Sequence, residues 1–286
     1  MTSPLPTLSP LMVDEAVKAA LLEDLGRAGD ITSQATIPAD AQANAVIVSR
    51  QNGVLSGLDL AISAFAQCST DFELEILEED GSTLVPGSIV MQIKGPAQAL
   101  LSAERVALNY LGHLSGIASA TKKFADEIAH TNCKVVCTRK TTPGLRAFEK
   151  YAVRCGNGAN HRFGLDDAIL IKDNHIAVAG GIKLAIERAR SFAGHLVRVE
   201  VEVDTLDQMK DALEVSPDVI MLDNIGPEML AQAVELNKGR AILEASGGVN
   251  LSTVKAIAES GVDLVSTGWI THSAPVLDLG LDISID

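Results

Sequence analysis

The sequence predicts an α/β protein: an N-terminal α/β sandwich domain followed by an open, incomplete parallel α/β barrel. Three observations carry that expectation. The first third mixes one helical periodicity with alternating strand patterns, and from residue 134 short apolar runs recur between helical segments. Those runs end, one after another, on polar residues or glycine.

The chain opens on an amphipathic pattern in which Val13, Val17, Ala20, Leu21 and Leu25 recur at helical spacing. Ala43 to Ser49, Phe72 to Ile76 and Ile89 to Ile93 then read as strands, with Asp80-Gly81 as the turn between the last two. Ala97 to His130 reads as a helix interrupted around Gly112 and Gly116. In the second part the expected strands are Lys134 to Thr138, Ala168 to Lys172, Val197 to Val203, Asp218 to Leu222, Ala241 to Glu244 and Asp263 to Thr267. Six is fewer than the eight of a closed (β/α)₈ barrel, hence an open one.

Composition narrows the function. At 286 residues, with 47% hydrophobic and 21% charged residues, the chain can bury one large or two smaller cores. No segment approaches the roughly 18 apolar residues of a membrane span, and residues 1–12 carry no basic region, so a cytoplasmic protein without a membrane role is expected. Cys68, Cys133, Cys137 and Cys155 match neither a zinc or redox spacing nor a secreted disulfide scaffold and read as buried free thiols. A net charge of −14 argues against a nucleic-acid partner. Basic charge is nevertheless concentrated in Arg139, Lys140, Arg146, Lys150, Arg154, Arg162 and Lys172, as suits a small, highly anionic substrate.

The strand ends place the chemistry. They are Thr138-Arg139-Lys140, Lys172, Glu202, Asp223, Ser246-Gly247-Gly248 and Thr267-Gly268. The C-terminal rim of such a barrel carries the active site, and its last two loops often hold a phosphate. Val197 to Val203 alternates strictly, with Arg198, Glu200 and Glu202 on one face. Helices cover the outside of a parallel barrel, so that face should point inward. Glu202 with Asp223 makes an oxygen-only pair suited to Mg²⁺ and a substrate diphosphate, and a structural Glu–Arg network is the competing reading. Ser246-Gly247-Gly248, ahead of a helix expected from about Leu251, offers backbone amides for a phosphate, with Thr267-Gly268 as the other half. His161 differs from His113, His130, His195 and His272, which read as structural, through its neighbour Arg162. Arg162 with Arg139 can grip two carboxylates of a planar diacid.

Taken in order, Glu104-Arg-Val-Ala-Leu-Asn109, Leu114-Ser-Gly-Ile-Ala118, Thr138-Arg-Lys-Thr-Thr-Pro-Gly-Leu-Arg146, Asn160-His-Arg162, Leu170-Ile-Lys-Asp-Asn-His175, Glu200-Val-Glu202, Leu222-Asp-Asn224, Glu244-Ala-Ser-Gly-Gly248 and Gly261-Val-Asp263 closely resemble the quinolinate phosphoribosyltransferase family. The resemblance runs from about residue 13 to the end. It implies a sandwich domain of residues 1–115 joined by residues 275–286, and a barrel domain of residues 116–274. It further implies transfer of phosphoribosyl from phosphoribosyl pyrophosphate (PRPP) to quinolinate with decarboxylation, Mg²⁺ as cofactor, and a homodimer or higher oligomer with shared sites. Arg139, His161, Arg162 and Lys172 would hold quinolinate, with Arg105 from a partner subunit. Lys140 and Lys172 would meet PRPP, Glu202 and Asp223 the ribose hydroxyls and Mg²⁺-diphosphate, and Ser246, Gly247, Gly248 and Gly268 the 5′-phosphate. Two positions depart from the family's pattern: Asn157 within a glycine triplet, and Trp269 where a small residue is usual. A related pyridine-carboxylate phosphoribosyltransferase without decarboxylation, and a Schiff-base aldolase using Lys172 or Lys140, are the alternatives.

Overall fold

The computed structural model describes residues 4–284. Along the chain run α1 (Pro10–Leu25), α2 (Ile31–Thr36), β1 (Gln42–Ser49), β2 (Gly53–Val54), α3 (Leu58–Cys68), β3 (Glu73–Ile76), β4 (Thr83–Leu84), β5 (Ile89–Pro96) and α4 (Ala97–Glu127). There follow β6 (Lys134–Val136), α5 (Arg146–Cys155), β7 (Ile169–Ile171), α6 (Asp173–Ala179), α7 (Ile182–Phe192), β8 (Val199–Val203), α8 (Leu206–Glu214) and β9 (Val219–Asp223). The last elements are α9 (Pro227–Asn237), β10 (Ile242–Ser246), α10 (Val254–Glu259), β11 (Leu264–Ser266), α11 (Trp269–His272) and β12 (Leu279–Ser284).

Two compact units result. The first comprises residues 1–120, 148–157 and 274–286, and the second residues 121–147 and 158–273. Phe148–Asn157, inside the expected 116–274 range, thus groups with the first unit.

In the first unit an antiparallel sheet has the order β12-β1-β5-β3. The apolar stripe of α1 is buried at Val13, Val17 and Leu21, while Ala20 and Leu25 are half-buried. Asp80 does more than turn the chain. Its half-buried carboxylate accepts the amides of Gly57 and Leu58 at the start of α3, at 3.1 and 3.2 Å, and the Tyr151 hydroxyl at 2.8 Å. Burial pushes its pKa up, and those three donors partly offset the shift.

The expected interruption of α4 is not found: the helix is continuous for 31 residues. Gly112 and Gly116 are there for close approach. The Gly112 carbonyl accepts the Leu277 amide at 2.9 Å. A Cβ on Gly116 would overlap the Pro275 carbonyl oxygen and lie 3.1 Å from its carbonyl carbon. Glycine's cost in a helix is about 1 kcal/mol, small enough to be outweighed by such packing.

The second unit is a six-stranded, wholly parallel sheet of order β6-β11-β10-β9-β8-β7. All six expected strands are present, each within a few residues of its expected span. No pairing joins β6 to β7, so the barrel is open. A single parallel bridge from Val136 to Ala159 extends the β6 edge. Outward positions such as Val199, Val201 and Val203 are buried, as strands covered by helices require.

Cys133, Cys137 and Cys155 are buried free thiols and Cys68 is a half-buried one, and burial raises the pKa of Cys133 and Cys155 to about 12. Among the described residues no helix is long and apolar enough to cross a membrane.

Replacing Gly116 with alanine is expected to lower stability by about 1–3 kcal/mol, because overpacking against a backbone carbonyl exceeds the helix-propensity gain. Thermal melting checks this against Gly194→Ala, where an added Cβ meets nothing within 4 Å.

Candidate active site

The second unit carries a cavity of about 480 Å³ lined by Thr138, Arg139, Lys140, His161, Arg162, Leu170, Lys172, Glu202, Met221, Asp223, Glu244, Ser246 and Ser266. Parallel pairing puts the C-terminal ends of the strands at this mouth. Each end then delivers one or two polar side chains. A larger hollow of about 1020 Å³ lies at the opposite ends of the same strands, lined among others by Arg190, Arg198, Asp218, Arg240 and Asp263. Volume alone does not mark the site. The smaller cavity holds the convergent acid, base and histidine groups.

Arg162 is held by its Nη1, which donates to the Ala168 carbonyl at 3.0 Å, and its Nε is buried without a hydrogen-bond partner among the described residues. Burial, and then the like charge of Arg139, lower its pKa, with Glu200 and Asp167 opposing. Two guanidiniums lining one cavity have the chemistry to receive a planar anion. Lys172 closes the same wall. It is ion-paired with Glu202, and its amide donates to His175 Nδ1 at 2.9 Å, which pins the start of α6. A Schiff-base lysine needs an apolar, desolvated setting; Lys172 is 48% exposed and paired with a carboxylate.

Glu200 and Glu202 do point inward. Their partners are His161 and Lys172 rather than an arginine network, and Arg198 lies at the far hollow. Asp223, half-buried at the end of β9, accepts the Asn224 side-chain amide at 2.6 Å. Glu202 and Asp223 thus stand on adjacent strands as oxygen donors with Ser246 beside them, a set that fits a hard cation sharing a diphosphate.

The glycine loops hold shapes a side chain would spoil. Gly247 and Gly248 have φ of 89° and 63°, and a Cβ on Gly247 would overlap the Asn224 side chain. A Cβ on Gly268 would meet Lys140 Cδ at 2.9 Å and Thr138 Oγ1 at 3.1 Å. The helix expected from Leu251 begins three residues later, at Val254, because Asn250 and Thr253 first build a side-chain-bonded turn. Thr267 donates to the Val249 carbonyl at 3.4 Å, tying the two loops together. Asn157 adopts φ 63°, which asparagine tolerates. The Trp269 ring rests on Phe124 with centroids 6.0 Å apart.

Of the basic stretch, Arg139, Lys140, Arg162 and Lys172 reach the cavity. Arg146 instead braces its own loop through Thr141 and Phe163, and Lys150 and Arg154 belong to the first unit. Arg105 lies on α4 in the first unit, 63% exposed and 3.8 Å from Glu104, and does not line the cavity. Of the histidines read as structural, His113 pairs with buried Glu149 and His130 with Glu259.

Sequence reasoning missed Glu244 as a cavity residue. It is 1% exposed, and its pKa is pushed up to about 7 by burial and then by Glu200's charge, with His161 and Ser266 opposing. A lone charge inside the apolar run Ile242 to Ala245 was the available signal.

Comparison with known proteins supplies the rest. The family model for the quinolinate phosphoribosyl transferase C-terminal domain matches residues 117–282, and that for its N-terminal domain residues 30–115. A probable nicotinate-nucleotide pyrophosphorylase [carboxylating] of Bacillus subtilis is 41% identical, over 96% of this chain and 94% of the relative. The nicotinate-nucleotide pyrophosphorylase [carboxylating] of Mycobacterium leprae is 41% identical over 94% and 96%. The solved nicotinate-nucleotide pyrophosphorylase of Francisella tularensis superposes with a TM-score of 0.94 at 37% identity, covering 99% of this chain and 100% of that one.

Proposed function

The chain belongs to the quinolinate phosphoribosyl transferase family, and we propose from that premise how its cavity performs the reaction. The enzyme transfers phosphoribosyl from PRPP to quinolinate with loss of a carboxylate, giving nicotinate mononucleotide, pyrophosphate and carbon dioxide, a step of NAD biosynthesis. The observation that carries the assignment of residues is the pairing of Arg139 with Arg162 in one small cavity, like charges whose mutual cost a bound dianion removes.

In our reading Arg139, His161, Arg162 and Lys172 hold the two carboxylates and aim the ring nitrogen at the ribose anomeric carbon. Nitrogen attack and diphosphate departure proceed with oxocarbenium character, so positioning and charge stabilisation supply the catalysis and no protein nucleophile is required. Lys140 faces the phosphates, and Ser246, Gly247, Gly248, Thr267 and Gly268 form the loops for the 5′-phosphate, with Thr138 under Gly268. Glu202 and Asp223 take ribose hydroxyls and would hold Mg²⁺, which when bound offsets the charge of the leaving diphosphate. The N-ribosylated ring nitrogen is cationic and stabilises the carbanion left when the adjacent carboxylate departs as carbon dioxide, and that carbon then takes a proton from water. The substrate is its own electron sink.

We further read the enzyme as a cytoplasmic homodimer in which Arg105 completes the partner's site. The free thiols suit a reducing compartment, and an exposed arginine that is not among the residues lining the cavity suits a role in trans.

The direct test is release of carbon dioxide and pyrophosphate in step from quinolinate plus PRPP, with nicotinate as control substrate; turnover of nicotinate alone would reverse the assignment. Arg162→Lys is expected to raise the KM for quinolinate roughly tenfold or more although charge is kept, because the two-point contact is lost; an unchanged KM would remove Arg162 from the diacid clamp. Chelating divalent metal is expected to abolish turnover while quinolinate binding, followed calorimetrically, persists. Mixing the inactive variants Arg105→Ala and Arg139→Ala under subunit exchange is expected to restore about a quarter of the sites under random pairing. Mixed dimers that stay inactive would rule out the shared site.

A further inference from the structure

Two glutamates beneath the diacid clamp have no assigned task. Glu200 of β8 and Glu244 of β10 are 7% and 1% exposed, and one strand, β9, separates theirs in the sheet. They converge on one group. His161 Nε2 lies 2.9 Å from Glu200 Oε2 and 3.8 Å from Glu244 Oε1. The remaining oxygen of Glu200, and Oε1 of Glu244, have no hydrogen-bond partner among the described residues.

We propose that Glu200 and Glu244 are positioning residues that seat His161 as a charged donor, giving the quinolinate clamp its third cationic point. The inference rests on the functional reading above. Its chemistry follows from the two ring nitrogens. With Nε2–H spent on Glu200, a neutral imidazole presents only a lone pair at Nδ1, which repels a carboxylate. The imidazolium donates from both nitrogens. A buried carboxylate at hydrogen-bond distance favours that form and fixes the ring plane.

The two acids divide the work. Two carboxylates this close cannot both stay charged against one cation without cost. Glu244, the more deeply buried, is the one whose pKa burial and the neighbouring Glu200 push up, and Glu200, at 2.9 Å, is the nearer partner of the ring. The charged groups around the ring are Glu200, Glu244 and, on its own loop, Arg162; Arg139 and Lys172 line the same cavity. These three acid and imidazole ligand atoms lie within 4.8 Å of one another, close enough for a metal ion to compete as their occupant. Arg162, whose charge is felt at Glu200, opposes a dication there.

The test uses the full-length enzyme. In ¹⁵N-histidine spectra at neutral pH, His161, assigned by its loss in His161→Ala, is expected to show the imidazolium pattern in the wild type and the neutral pattern in Glu200→Gln. Glu200→Gln is expected to raise the KM for quinolinate roughly tenfold while kcat and the KM for PRPP stay within about threefold, the loss of one charge-assisted hydrogen bond. Glu244→Gln is expected to raise the quinolinate KM by less than Glu200→Gln does, its carboxylate standing 3.8 Å rather than 2.9 Å from the ring. On a His161→Ala background Glu200→Gln should add less than about twofold to the quinolinate KM, since paired residues are non-additive.

A neutral His161 in the wild type overturns the proposal without any variant having to fold. So does a folded Glu200→Gln with unchanged quinolinate KM, full additivity with His161→Ala, or a stoichiometric divalent ion bound through His161 in the purified enzyme. Absence of wild-type turnover with quinolinate would instead sink the functional reading, while the spectra still decide the seat.

Discussion

The parallel ladder from β6 through β11 to β7 is the constraint on which the site depends. Because all six strands run the same way, their C-terminal ends share one mouth, and strand alternation decides which side chains enter the interior. Val199, Val201 and Val203 pack outward while Glu200 and Glu202 go inward. A one-residue slip of β8 would reverse this arrangement, burying glutamates under helices and removing the partners of both His161 and Lys172. Register, fixed here on both sides by β7 and β9, therefore decides which side chains reach the cavity.

Within that frame the cavity separates charge inside an acidic protein. Its cationic wall, Arg139, Arg162 and Lys172, stands against Glu202 and Asp223, with Lys172 and Glu202 paired across the divide. An anionic diacid and a metal-bearing diphosphate have opposite needs. In the proposed reading one wall would serve each, with the Lys172–Glu202 ion pair between them. The loops that complete the cavity are shaped by backbone rather than by side chains, as Gly247 and Gly248 show through their left-handed conformations.

The first unit shows how tightly backbone can be fitted when glycine is used for proximity. At Gly116 a helix accepts the chain of Pro275 directly against its backbone, and at Gly112 it takes a hydrogen bond from Leu277. That docking leads into β12, which joins the sheet beside β1. The same residue type reads in sequence as a helix breaker. Only the partner segment, some 160 positions away, reveals the other use.

The sequence by itself determined the six barrel strands, the polar strand ends and the inward direction of Glu200 and Glu202, because these follow from local apolar runs and a strict two-residue period. It also determined the family, through strings such as Thr138-Arg-Lys-Thr-Thr-Pro-Gly144 that persist as contiguous motifs. Tertiary structure alone decided the placement of β6 beside β11, the continuity of α4, and the departure of Arg146, Lys150 and Arg154 from the cationic cluster. It alone brought Glu244 to Glu200 and His161. Glu244 lies 44 positions from Glu200 and 83 from His161, and no local pattern encodes a contact made only when the sheet curls. Local periodicity specifies which face a side chain takes; what it meets there is set by the curvature and order of the sheet.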